Sequence, residues 1–227
     1  INHKRDDPSR HVLFDNQRWF HDQQVEITYV TAENWHGYKP ELAESALSRT
    51  LGKLRRGEPV TVAVTGDSIT YGLNASKLGD VEPHMPPYPE LVAAGLEASY
   101  GSQVKLINNA VSGWRLEQGL EHLDELLTSQ PDLMIIAYGM NHFGSRDVAG
   151  FQKLLTTMID RVRAADPDLE IILVAPMHGN PDWVHTPADQ FASHRDAIAA
   201  HAGPKTAFAD LTTLWGQMLE KKRFVDL

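Results

Sequence analysis

One stretch, Thr61-Val62-Ala63-Val64-Thr65-Gly66-Asp67-Ser68-Ile69-Thr70-Tyr71-Gly72, limits what this chain can fold into. Its apolar run is unbroken rather than alternating, which suits a strand buried on both faces, as in a parallel sheet. Gly66 permits a sharp turn at the strand's carboxyl end, and Ser68 then lies on that turn with its hydroxyl free to face a crevice. Ligands of open α/β sheets bind just outside those carboxyl ends. Chemistry is therefore expected at Ser68, although Asp67 or Ser68 would also serve to cap a following helix. The spacing excludes one familiar arrangement. A nucleophile elbow needs Gly-x-Ser-x-Gly, and Thr70 stands at its last position.

The rest of the chain repeats this pattern. Apolar runs at 60–64, 104–107, 133–137, 171–174 and 207–209 read as strands. Amphipathic stretches lie between them, including the stripe Leu116, Leu120, Leu123, Leu127 and the stripe Phe151, Leu154, Leu155, Met158, Ile159, Val162. Such alternation implies an α/β fold: a doubly wound parallel sheet of five strands between two layers of helix, in a flavodoxin-like order. Upstream, residues 1–38 read as a small β-rich lead-in. Its strands fall at 12–14 and 25–30, and Asp6-Asp7-Pro8 reads as loop. Pro40 opens a helix that runs through Leu54 and ends at Gly57. Residues 39–227 form the main domain.

Composition narrows the chemistry. A chain of 227 residues buries roughly 70–75% of its unfolded surface and needs no staples. It has no cysteine, hence no disulfide, no thiolate metal site and no cysteine nucleophile. A net charge of −9 argues against nucleic acid or an anionic membrane as partner. No apolar run approaches the ~20 residues of a membrane span. Nothing matches a phosphate loop, a dinucleotide fingerprint or a His-Glu-x-x-His metal site, so no cofactor and no metal are expected. Compartment and oligomeric state stay open.

The segments after the strands carry the chemistry. They are Gly66-Asp67-Ser68, Asn108-Asn109-Ala110-Val111-Ser112-Gly113-Trp114 and Tyr138-Gly139-Met140-Asn141-His142. In a flavodoxin-like order the first and third strands are neighbours, which brings Ser68 and Asn141 to one crevice with the Gly113 loop on its other side. A serine that attacks an ester carbonyl generates an oxyanion, which needs fixed donors. The N–H groups of Gly113 and Ser68 and the amide of Asn141 are such donors.

These blocks, in this order and spacing, resemble the first three blocks of the SGNH/GDSL hydrolase family, with the resemblance running from about residue 60 to 227. It implies a three-layer α/β esterase in which Ser68 is the nucleophile and Ser68, Gly113 and Asn141 form the oxyanion hole. The expected substrate is an acyl or acetyl ester, of a carbohydrate or another small molecule. Two positions depart from the family. His142 stands where the family usually has a structural aspartate. The family's base, in an Asp-x-x-His block after the last strand, would begin where the chain ends, at Phe224-Val225-Asp226-Leu227. The simplest expectation is that this pair lies beyond Leu227. Within the chain, Asp182-Trp183-Val184-His185 has the spacing but follows the fourth strand, and His142 and His178 also follow strands and could line the crevice.

Loops 35–38 and 84–88 bring aromatic residues that could wall a sugar site or pack on the domain itself, and Asn74 could reach the crevice. Two rival readings remain: a non-catalytic ester- or glycan-binding protein on the same scaffold, and a flavodoxin-like binding module.

Overall fold

The computed structural model of the chain describes residues 3–12, 18–22, 30, 32 and 34–224. In chain order the elements are β1 (His3–Lys4), β2 (Asp7–His11), α1 (Arg18–His21), α2 (Ser48–Arg55), β3 (Val60–Gly66), α3 (Ser68–Tyr71) and α4 (Tyr88–Tyr100). They continue with β4 (Val104–Asn108), α5 (Leu116–Glu121), α6 (Leu123–Leu127), β5 (Leu133–Ala137), α7 (Val148–Ala165), β6 (Glu170–Ala175), α8 (Phe191–Ala199), β7 (Thr206–Asp210) and α9 (Leu211–Leu219). Short 3-10 turns occupy Met140–Ser145 and Ala188–Gln190.

The main sheet has the order β4-β3-β5-β6-β7, and every pair in it is parallel. With the five strands counted from β3 this is 2-1-3-4-5, the expected flavodoxin-like order. Alternation of side chains along β3 divides the core. Val60, Val62 and Val64 meet Leu54 of α2 and Leu96 of α4 on one face. Ala63, with Met134 and Ile136 of β5, meets Leu116, Leu123, Phe151, Leu155 and Met158 from α5, α6 and α7 on the other. Both faces of β3 are thus covered, which is why its apolar run does not alternate.

Three sequence expectations are corrected, and a fourth falls mostly outside the described residues. Asp7 and Pro8, read as loop, belong to β2, which pairs antiparallel with β1. That polar hairpin is held from a distance: the Arg5 N–H donates to Asp182 O, and its guanidinium donates to the carbonyls of Pro181, Trp183 and Thr186. Val12 is outside any strand and Val30 is in no regular element, while the rest of the strands expected at 12–14 and 25–30 lies outside the described residues. The helix expected from Pro40 begins at Ser48, and Leu42 is exposed. Its start is set by Glu170, a buried carboxylate that accepts the N–H groups of Arg49 and Thr50 at 2.7 and 2.8 Å. Those donors have no partner within a helix, so a charged acceptor fixes where the helix begins. The stripe from Leu116 to Leu127 is two short helices that meet at His122.

Candidate active site

The carboxyl ends of β3, β4 and β5 place the three expected segments side by side. In register, Gly66 is opposite Ala137 and Val64 is opposite Asn108. Gly66 must be glycine, because a Cβ there would lie 2.7 Å from the Ala137 carbonyl oxygen and against Thr70 Oγ1. The chain then turns at once into α3, whose cap is Asp67: its carboxylate accepts the Ile69 N–H at 3.0 Å. Asp67 is only 3% exposed, and burial pushes its carboxyl up to about 6 even though that N–H pulls the other way. Ser68, the first residue of α3, is half-buried, and among the described residues its Oγ has no hydrogen-bond partner.

The loop after β4 is stitched to this turn. The N–H groups of Asn109 and Val111 donate to Val64 O at 2.8 Å and Gly66 O at 3.3 Å. Asn108 uses both ends of its amide: Nδ2 donates to Thr70 O at 3.1 Å, and Oδ1 accepts the Ala110 N–H at 3.0 Å. The loop reaches Gly113 at φ +85°, a left-handed conformation that favours glycine, with open space where a Cβ would be. Asn108 was missed in the sequence. Its signal was an Asx residue at a strand end, a residue type that commonly ties down its own turn.

The loop after β5 closes the group. The half-buried Asn141 donates from Nδ2 to Trp114 O at 2.9 Å. A primary amide has two N–H groups, so this bond fixes the amide plane and leaves the second N–H for another acceptor. Thus Ser68, at the start of α3, and Gly113 and Asn141, in the loops after β4 and β5, lie on segments that hydrogen-bond to one another directly or through one neighbouring residue.

One of the three histidines is placed differently from the sequence expectation. His142 does not line the crevice. It is 1% exposed, its Nε2 lies 3.3 Å from Glu117 Oε2 and 3.4 Å from the Leu116 N–H, and its ring packs edge-on against Phe151. Burial, and secondarily the Arg115 charge, lowers its pKa to about 4. His178 packs on Phe191 and lines a groove between α8 and α9 with Thr212 and Gly216. His185 is exposed beside Trp183. Of the aromatic loops, Tyr88 turns inward to hydrogen-bond Thr70 at 3.0 Å, and Trp35 Nε1 donates to the Tyr38 carbonyl. Asn74 has a left-handed backbone and a buried Oδ1. Among the described residues no group of three His, Asp or Glu side chains is arranged to hold a metal, and no helix is long and apolar enough to cross a membrane.

Compared by sequence with curated proteins, the chain matches none. Among solved structures it is similar to a two-domain esterase active on acetylated mannans, with TM-score 0.61 and 18% identity over 85% of this chain. It covers 47% of that protein, so it spans under half of its length. It is also similar to a catalytic mutant of an acetylxylan esterase from Geobacillus stearothermophilus, with TM-score 0.53 and 17% identity over 72% of this chain and 81% of that one. A lipase/acylhydrolase from Enterococcus faecalis gives TM-score 0.53 and 24% identity over 74% and 82%. At these identities the structural likeness establishes the fold, and the family rests on the sequence pattern. The GDSL-like Lipase/Acylhydrolase family pattern matches residues 64–224, which include all three loops, and the chain belongs to that family.

Proposed function

We propose that this chain is a serine ester hydrolase that removes an acyl or acetyl group, with Ser68 as nucleophile and the Gly113 N–H and Asn141 amide as oxyanion donors. The observation that carries the reading is the Asn141 bond to Trp114 O, which spends one amide N–H and leaves the other for a reacting oxygen. In the reaction Ser68 Oγ bonds the ester carbon as its proton passes to a general base, and the carbonyl electron pair moves onto oxygen. Collapse of that tetrahedral species expels the alcohol, which takes the proton, and water repeats the sequence to release the acid. Donors set in place beforehand stabilise the charge without reorganising, a contribution of about 3–4 kcal/mol for each one. His142 is not the base in this scheme, because its ring is buried against Glu117 and Leu116.

An acetylated carbohydrate is the proposed substrate. The likeness to esterases of acetylated mannan and xylan supports it, as does Tyr71, an aromatic three residues beyond Ser68 that is 45% exposed. The test is hydrolysis of p-nitrophenyl acetate and of acetylated mannan and xylan oligosaccharides by the parent and by Ser68→Ala. Loss of turnover in Ser68→Ala is expected, and an unchanged rate would refute the mechanism.

One observation favours a second reading, an ester- or glycan-binding protein without turnover: among the described residues no histidine hydrogen-bonds Ser68. That reading requires calorimetric binding of acetylated oligosaccharide with no acetate released.

A further inference from the structure

A buried polar cluster that the proposed reaction does not use lies behind the crevice. Two neighbouring contacts join the 114–117 segment to the loop after β5. Asn141 donates to Trp114 O at 2.9 Å. Next to it, His142 Nε2 lies 3.4 Å from Leu116 N and 3.3 Å from Glu117 Oε2. One ring nitrogen cannot serve both partners. As acceptor for the Leu116 N–H, Nε2 would turn a lone pair toward a carboxylate; as donor to Glu117, it meets that carboxylate with a charge-assisted bond.

The surroundings are equally short of partners. His142 Nδ1, Glu117 Oε2, Arg115 Nε and His194 Nε2 are all buried side-chain atoms without a hydrogen bond of good geometry among the described residues. His194 is fully buried, and its Nδ1 lies 2.9 Å from the Gln190 carbonyl, so that nitrogen carries the proton and Nε2 is a bare acceptor. Both imidazoles pack on the ring of Phe151, with centroids 4.9 and 5.0 Å away. Each unmet buried polar atom is destabilising, a cost that an aliphatic residue at position 142 would avoid.

We propose that His142 is a positioning residue: through Nε2, which faces both the Leu116 N–H and the Glu117 carboxylate, it forms the second of two adjacent links that hold the loop after β5 against the 114–117 segment and so keep the free N–H of Asn141 turned to the crevice. The inference rests on the reading of Asn141 as an oxyanion donor. Met140 and Phe143 pack the loop into an apolar cluster, and a second polar link one residue from Asn141 fixes the orientation of its amide. Glu117 in turn sits 3.7 Å from Arg115 Nε, so the carboxylate is flanked by the ring on one side and the guanidinium on the other.

Two substitutions separate positioning from packing. His142→Leu fills the space without a donor, while His142→Gln returns an N–H close to the place of Nε2. With p-nitrophenyl acetate, kcat of His142→Leu is expected to fall about 10²-fold at nearly unchanged KM, the mark of a group misplaced only for the transition state. His142→Gln is expected to recover most of that loss, which a role in packing alone would not predict. The Asn141 side-chain amide resonance, assigned by its disappearance in Asn141→Ala, is expected to shift or broaden in His142→Leu and to return in His142→Gln. Should His142→Leu fail to fold, Glu117→Ala removes the acceptor from a half-exposed position and carries the same expectation for kcat and for the amide resonance. Hydrolysis at the parental kcat by His142→Leu or Glu117→Ala, with an unmoved Asn141 resonance, overturns the inference and leaves the esterase reading intact. A parent that hydrolyses no ester, with a resonance that still moves in His142→Leu, overturns the esterase reading and supports the positioning role.

Discussion

Burial of Asp67 should be measurable as a pH-dependent loss of stability. Its carboxyl is pushed from 3.8 up to about 6, chiefly by burial, with the Ile69 N–H opposing. Between those two values the folded chain binds a proton that the unfolded chain has released. Stability therefore falls as pH rises through that window, and the full cost is present at pH 7. A gap of about two pH units corresponds to about 3 kcal/mol. Asparagine at this position keeps an oxygen for the Ile69 N–H and caps a helix as well as aspartate, yet has no charge to desolvate. Asp67→Asn is expected to match the parent at pH 4 and to exceed it by about 3 kcal/mol at pH 7. Urea unfolding of both proteins at several pH values gives this as a difference, in which other titrating groups cancel. The cancellation matters, because His142 acts oppositely. Its pKa is lowered from 6.5 to about 4, so the unfolded chain takes the extra proton and this contribution to stability grows as pH rises through the same range. A difference between Asp67→Asn and parent that stays flat from pH 4 to 7 would refute the reasoning.

Other outcomes follow from single contacts. Gly66→Ala drives a Cβ against the Ala137 carbonyl and Thr70, and is expected to cost about 1–3 kcal/mol, read as a lowered thermal midpoint. Glu170→Ala strips the acceptor from two buried-end N–H groups of α2 and is expected to cost about 3 kcal/mol in urea unfolding; a loss below ~0.5 kcal/mol would mean that water replaces the carboxylate. Asn141→Ala is expected to lower kcat for an activated ester about 10²–10³-fold, and an unchanged kcat would remove Asn141 from the oxyanion hole.

Local patterns made much of this fold legible. The parallel sheet follows from apolar runs such as the one from Val60 to Val64, and α7 from a stripe whose Phe151, Leu155, Met158 and Val162 are all buried. The segments at the carboxyl ends were legible for the same reason, since Gly66, Gly113 and Asn141 each follow an apolar run closely. Contacts distant in sequence were not. The start of α2 is fixed by Glu170, and the β1–β2 hairpin is fastened to residues 181–186 by Arg5, although nothing in its own polar sequence marks it as structured. His142 follows a strand, as a crevice residue would, but the 3-10 turn at Met140–Ser145 places its ring against α5.

An activated Ser68 reacts with a covalent serine probe. The protein would be treated with a fluorophosphonate at neutral pH, digested, and the adduct mapped by tandem mass spectrometry, with Ser68→Ala alongside. A single stoichiometric adduct on Ser68, absent from Ser68→Ala, is the expected result. A parent that binds acetylated oligosaccharide yet forms no adduct at Ser68 would mean that Ser68 is not activated and leave the crevice as a binding site without catalysis.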